Sequence, residues 1–139
     1  MKSKIIVGGL LVVLYGVLWS CQSEGYIQKA QYITNGQKLY LTHCQNCHGA
    51  KGEGLGALYP ALTDPVRLQE RHASLASLVR FGSNEARSET VVFAQKMPSN
   101  EQLTPIEIAY VLTYIQNSFG NELGVFSLAD VQDQLDAKP

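Results

Sequence analysis

Apolar residues recur at helical spacing in the second half of the chain, and capping residues mark where the main helix should begin. Thr104-Pro105-Ile106-Glu107 combines a capping threonine, a proline at the first helical position and a glutamate at the third. The apolar positions that follow are three and four residues apart: Ile108, Val111, Leu112 and Ile115. This pattern predicts a helix with one buried face that ends between Asn117 and Gly120.

Two weaker patterns in the first half of the chain also predict helices. Thr34 and Gln37 fit a capping box, which predicts a helix that starts at Asn35 and continues into residues 44–48. Asp64-Pro65 resembles an N-cap followed by a proline at the first helical position.

Further patterns occur on either side of the main helix. Apolar residues before Gly82 predict a short helix from about Ala73 to Phe81. After the main helix, residues 122–139 form an extension in which one short amphipathic helix is predicted, either packed on the domain or available to a partner. The residues that indicate this helix are Ser127, Leu128, Asp130, Val131 and Leu135.

The start of the chain has the pattern of a targeting segment. Lys2 and Lys4 precede an apolar run of fifteen residues from Ile5 to Trp19, which is shorter than a spanning helix needs. Leu18-Trp19-Ser20-Cys21 resembles the signal that directs lipid onto a cysteine. We therefore expect a lipoprotein signal peptide at 1–20, lipid on Cys21 and a polar tether at 21–31. An ordinary cleaved signal or an uncleaved short anchor are the alternatives.

Charge makes a nucleic-acid partner unexpected. The full chain has 11 basic and 12 acidic residues, and without residues 1–20 it has 9 basic and 12 acidic, a net charge of −3. Binding to nucleic acid would require a clustered basic face. At 139 residues the chain is long enough for one small domain.

The residues with the clearest chemistry are Cys44-Gln45-Asn46-Cys47-His48. Two cysteines three positions apart, followed at once by histidine, form the attachment motif of a c-type haem. Each thiol is added to one haem vinyl group, and the histidine offers a ring nitrogen to the iron. Zinc would require a second pair of ligands, and the only other cysteine is Cys21. A redox dithiol would be expected among strands, which the surrounding pattern does not indicate.

Met97 is the candidate for the second iron ligand. It is the only methionine besides Met1, and a thioether suits iron in a His/Met site, although a core methionine is the alternative. The apolar run Val91-Val92-Phe93 lies close enough in sequence to pack on the same face of the haem. His43 directly precedes Cys44, so its ring is expected to project away from the iron. His72 lies in a polar run and is expected to be solvated, with a bis-histidine site that uses His72 as the alternative.

These residues together resemble a class I cytochrome c over about residues 33–121. The resemblance rests on Asn35 to Tyr40, on the Cys44–His48 motif and on Tyr59-Pro60-Ala61-Leu62. It implies an all-α cytochrome c fold at 32–121, in which the N- and C-terminal helices cross around one covalently bound haem c. In such a fold Gly36 and Tyr40 would meet Val111 and Tyr114.

The resemblance also assigns roles at the haem. It implies that the carbonyl of Pro60 accepts a hydrogen bond from His48 and that Leu62 packs on the haem. Four glycines in eight residues follow the motif, and we expect backbone wrapped closely over a haem edge there: Gly49, Gly52, Gly54 and Gly56. Arg67 and Arg80 are candidates to contact the haem propionates.

The expected function is single-electron transfer in a membrane-associated chain, between redox protein partners that the sequence does not identify. With His48 and Met97 both bound, the iron would have no open position for a substrate. The protein would then be an electron carrier and not an enzyme, tethered by lipid at a bacterial membrane and facing the periplasm or the cell exterior. A haem subunit of a larger oxidoreductase complex and a haem sensor or enzyme with a labile sixth ligand are the alternatives.

Overall fold

A computed structural model of the protein describes residues 7–9, 15–16, 24–83, 87–88, 91–92 and 95–137. Its main helices are α1 (Glu24–His43), α2 (Gln45–His48), α3 (Pro65–Glu70), α4 (Leu75–Phe81), α5 (Pro105–Gln116) and α6 (Leu128–Asp136). Arg87–Ser88 (β1) pairs antiparallel with Val91–Val92 (β2), and Arg87 lies opposite Val92. The all-α prediction is confirmed, and this ladder of two residues per strand is a small addition that the sequence pattern did not indicate.

The first helix begins at Glu24, so the prediction that it starts at Asn35 is wrong. Thr34 is not a cap but lies inside α1, where its hydroxyl donates a 2.9 Å hydrogen bond to the carbonyl oxygen of Ala30. The helix therefore includes most of the segment predicted as a tether at 21–31. The residues of this first part of α1 are mostly exposed, and a helix without a buried face leaves no apolar periodicity to recognise.

Helix α1 crosses α5 at Gly36, as expected for the fold. A Cβ atom at this position would lie 2.7 Å from the Cβ of Tyr114 and would collide with the backbone carbonyl of Tyr110. The rings of Tyr40 and Tyr114 pack at a centroid distance of 5.4 Å. Val111 belongs to the same buried cluster, so the predicted pairing of the two helices is confirmed.

Buried apolar residues form two clusters, and α5 contributes to both. The cluster at the helix crossing contains Tyr40, Leu68, Val111, Tyr114 and Ile115. The other contains Leu75, Ala76, Val79, Leu103, Ile108, Ala109, Leu112, Phe126 and Val131. The four predicted apolar positions of α5 are all buried, which confirms the predicted face.

Helix α6 packs back onto the domain. It has the predicted capping box, since the Ser127 hydroxyl accepts the backbone N–H of Asp130 and the Asp130 carboxylate accepts the N–H of Ser127. Val131 is fully buried and Leu135 packs against the second cluster. Of the two roles open to this helix, packing on the domain is the one observed.

The middle helices begin close to the predicted positions. The Asp64 side chain accepts the backbone N–H of Val66 at 3.0 Å, and Pro65 is the first residue of α3, as predicted. Helix α4 begins at Leu75 and not at Ala73, because the preceding residues form a 3₁₀ turn, His72–Ser74.

Within the described residues, no helix is both long enough and apolar enough to cross a membrane. The predicted signal peptide at 1–20 is described only at residues 7–9 and 15–16. Cys21 and Phe93 lie outside the described residues, as do the side chains of Val91 and Val92. Lipidation of Cys21 and packing of the apolar run near Met97 remain predictions.

Candidate haem site

The cysteine and histidine motif lies in a one-turn helix directly after α1. The backbone N–H groups of Cys47 and His48 both donate to the carbonyl oxygen of Cys44, at 3.2 and 3.0 Å. Gly49 ends this turn with a positive φ of 81°. Cys44 and Cys47 form no disulfide, are half-buried, and line one cavity together with the His48 ring.

His48 makes the hydrogen bond that the resemblance implied. Its Nδ1 atom lies 2.9 Å from the carbonyl oxygen of Pro60. Because a carbonyl can only accept, Nδ1 carries the proton and Nε2 keeps its lone pair. Burial lowers the pKa of His48, and the bond to Pro60 partly opposes this shift. The neutral ring that results is the form that binds a metal.

The glycine-rich loop brings Pro60 back to His48. The N–H of Gly54 donates to the His48 carbonyl at 2.8 Å, and the N–H of Leu62 donates to the Gly52 carbonyl at 2.7 Å. A Cβ at Gly54 would lie 2.6 Å from the Tyr59 carbonyl oxygen, next to Pro60. We expected Gly54 to let the backbone pass closely over a haem edge. The close neighbour found at Gly54 is instead the protein's own backbone at Tyr59 and Pro60. A side chain there would displace the segment that carries the Pro60 carbonyl.

The cavity has a volume of about 390 Å³, within the usual range for small-molecule sites. Its walls come from α3, α4, α5 and the loop after the motif. Apolar residues dominate these walls: Leu62, Leu68, Leu75, Leu78, Val79, Val111, Leu112 and Ile115. An apolar, half-enclosed space with this set of donors fits a haem held through two thiols.

Met97 lines the same cavity as the motif. Its backbone is held from both sides by Ser83, whose N–H donates to the Met97 carbonyl at 3.0 Å and whose hydroxyl accepts the Met97 N–H at 2.9 Å. Gly82 ends α4 with a φ of 74°, and a side chain there would collide with the Met97 carbonyl. The end of α4 therefore positions the methionine segment.

The other predicted site residues divide into those that reach the cavity and those that do not. Leu62 and Arg67 line it. Arg80 does not, and its guanidinium donates to the Glu101 carbonyl at 2.6 Å. His43 is exposed and does not line the cavity, which agrees with a ring that projects away from the iron. His72 is not simply solvated as predicted, because its ring stacks on buried Phe126 at a centroid distance of 4.4 Å.

The electrostatics of the Cys44 thiol argue against a redox dithiol that uses this residue. Burial, aided by the neighbouring Cys47, raises the pKa of the Cys44 thiol to about 11. Dithiol oxidoreductases depend on a thiol whose pKa is lowered. In the part of the chain that the structure describes, no group of three His, Cys, Asp or Glu side chains is arranged to hold a metal ion.

Asn121 is a structural contributor to the site that sequence reasoning missed. Its side-chain amide donates to the carbonyls of Leu62 at 2.8 Å and Ile115 at 3.0 Å, and the residue is 2% exposed. It thereby ties the end of the glycine-rich loop to the end of α5. An asparagine after a helix carries no sequence signal that identifies such distant partners.

Comparison with known proteins agrees with this geometry. No curated protein matches the sequence. The family model described as "Cytochrome c" matches residues 33–119. The match covers more than half of the chain and includes the motif, Pro60 and Met97, and a domain of this kind implies haem c bound covalently through the two cysteines. The chain therefore belongs to the cytochrome c family.

Proposed function

We propose that the protein is a class I cytochrome c that carries single electrons between redox proteins at a membrane surface, with His48 and Met97 as the axial ligands of one haem c. The observation that carries the proposal is that Cys44, Cys47, His48 and Met97 all line one apolar cavity. The family supports haem-based electron transfer in general.

The bound haem c supplies a one-electron couple, and the protein sets the conditions under which that couple operates. Cys44 and Cys47 hold the group covalently. The Pro60 carbonyl, by accepting the Nδ1 proton, fixes the tautomer of His48 and makes Nε2 a better donor. As a ligand of the haem iron, Met97 would offer a soft sulfur, which would favour the reduced state and raise the reduction potential. The aliphatic walls limit the access of water.

Occupation of both axial positions distinguishes a carrier from a haem enzyme or sensor. With His48 and Met97 bound, no position is open to a small ligand, so the reduced protein should not take up carbon monoxide at neutral pH. Met97→Ala should bind it readily. Lys96→Ala is the matched control, since Lys96 is the exposed neighbour of Met97 and should behave as wild type. Uptake of carbon monoxide by the wild-type protein would overturn the carrier assignment.

A lipid on Cys21 would place this domain at a bacterial membrane, facing the periplasm or the cell exterior. The support is the sequence before it: two lysines, an apolar run and Leu18-Trp19-Ser20-Cys21. Acyl chains would hold the domain at the surface without a spanning segment. Protein from cells should carry diacylglycerol on Cys21 and lack residues 1–20, whereas Cys21→Ser should carry no diacylglycerol. An intact residue 1–20 segment on the mature protein would contradict lipidation.

Charge supports a redox partner with a basic docking surface. The chain without residues 1–20 has a net charge of −3, and haem propionates make the whole protein more negative. Complementary charge accelerates association, and salt weakens this effect. Electron transfer to a basic partner protein should therefore slow as ionic strength rises, and a rate independent of salt would contradict this part of the proposal.

A further inference from the structure

Gln134 in α6 makes three hydrogen bonds to the segment that begins α4. Its side-chain Oε1 accepts the backbone N–H of Ala76 at 2.9 Å. Its Nε2 donates to the carbonyl oxygen of His72 at 2.9 Å. Its backbone carbonyl accepts the hydroxyl of Ser77 at 2.8 Å. The C-terminal extension is thereby joined to the start of a helix about sixty residues earlier in the chain.

The bond to Ala76 provides a helix cap that α4 otherwise lacks. The first N–H groups of a helix have no partner within it, and the side chain of Ser74 at the N-cap position makes no capping bond. Ala76 is fully buried, so water does not replace a lost partner. Without Gln134 the N–H of Ala76 would be buried and unpaired, which is costly.

The other end of α4 holds Met97. Ser83, just beyond the helix, makes two backbone-directed hydrogen bonds with Met97. The N–H of Asn100 donates to the carbonyls of Val79 and Arg80 in the last turn of α4, at 3.2 and 3.1 Å. Helix α4 is only seven residues long, so we expect a shift at its start to move the Met97 segment at its other end as well.

We propose that Gln134 is a positioning residue for Met97: by capping α4 from the C-terminal extension, it determines how firmly the sulfur keeps the sixth position on the iron. The inference rests on the proposed function, because it requires Met97 to be a ligand. The extension then has a redox role, since α6 stabilises the helix from which the ligand segment is held.

Competition by imidazole for the sixth position of the oxidised holoprotein tests this role. Gln134→Leu keeps most of the side-chain volume but removes both side-chain hydrogen bonds, and imidazole should then bind about fivefold more tightly. Gln132→Leu is the matched control, because Gln132 is exposed on the same helix, and its affinity for imidazole should equal that of wild type.

A second variant and a second measurement separate positioning from general stability. Ser77→Ala removes only one of the three hydrogen bonds to Gln134, and alanine is well tolerated at this helical position. This variant should bind imidazole about twofold more tightly than wild type does. Amide hydrogen exchange should become faster at Ala76 and Met97 in Gln134→Leu. If Gln134→Leu does not take up haem, the imidazole affinity of Ser77→Ala alone tests whether the contact with α6 positions Met97.

Two results would overturn the inference. One leaves the proposed function intact, and the other contradicts the proposed function as well. If wild type has the sulfur-to-iron charge-transfer band but the Gln134 and Ser77 variants bind imidazole as wild type does, α6 is only structural and the proposed function stands. If the band is absent from wild type, Met97 is not a ligand, and both the proposed function and this inference fail.

Discussion

The hydroxyl of Tyr40 donates a 2.6 Å hydrogen bond to the carbonyl oxygen of Gly49. This bond joins the fully buried ring at the crossing of α1 and α5 to the residue directly after His48. The packing of α1 against α5 is therefore linked by a direct hydrogen bond to the backbone that positions His48. A substitution at the crossing of α1 and α5 should therefore also alter the position of the haem motif.

Tyr40→Phe should lower the free energy of unfolding by about 1 kcal/mol, because it leaves the Gly49 carbonyl without its donor. Tyr26→Phe is the matched control: Tyr26 also lies in α1 but is 80% exposed, and its replacement should change stability by less than about 0.5 kcal/mol. Denaturant unfolding of the holoprotein gives both values. Equal stability of the two variants would show that the Tyr40 hydroxyl contributes nothing.

The same tyrosine predicts a loss of stability in alkali. Burial is the main cause that raises the pKa of Tyr40 well above its usual value, and the neighbouring Tyr114 and Glu53 act in the same direction. The unfolded chain loses this proton near pH 10, whereas the folded protein retains it. The stabilising contribution is therefore complete below about pH 10 and decreases as the pH rises further. Unfolding measured from pH 8 to 11 should show a steeper decline for wild type than for Tyr40→Phe; parallel curves would refute the shift.

Gly36→Ala should destabilise the protein by about 1–3 kcal/mol, because the new methyl group collides with the backbone of Tyr110. The same substitution at Gly25 tests whether helix propensity alone decides the effect. Gly25 is in the same helix with nothing within 4 Å of its Cβ position, so alanine there should be neutral or slightly stabilising. A Gly36→Ala variant as stable as Gly25→Ala would exclude close helix contact as the reason for the glycine.

Haem attachment should be needed for a protected fold. The haem cavity has about 390 Å³ of space between the two apolar clusters and the motif loop, and its walls would face water without the group. The double variant Cys44→Ser, Cys47→Ser should therefore be cleaved rapidly by protease. Cys21→Ser, which leaves the motif intact, should resist cleavage as the wild-type holoprotein does. A compact, protease-resistant double variant would contradict this expectation.

Local chemistry identified the residues that meet in the candidate haem cavity. The motif at Cys44–His48 is recognisable because cysteine and histidine have a narrow chemical use at that spacing, and Met97 because it is the only methionine besides Met1. The role of the Pro60 carbonyl, by contrast, came only from the resemblance to class I cytochromes c. The capping box and apolar stripe of α5 likewise specify their helix in the sequence itself. The periodicity of apolar residues could predict only those helices that bury one face.

Interactions that depend on tertiary contact were not predictable. The start of α1 has no buried face, and Thr34, which resembles a cap, instead bonds to Ala30 inside the helix. His72 lies in a polar run but stacks on Phe126, and Gln134 is an ordinary polar residue by its pattern. Polar side chains gain such roles only when the fold supplies a distant backbone partner.

The most direct test of the central claim is the optical spectrum of the oxidised holoprotein, compared among wild type, Met97→Ala and Lys96→Ala. The weak sulfur-to-iron charge-transfer band should be present in wild type and in Lys96→Ala and should vanish in Met97→Ala. That result would establish that the methionine lining the cavity with His48 is the second axial ligand. A band missing from wild type, or one that persists in Met97→Ala, would contradict the account.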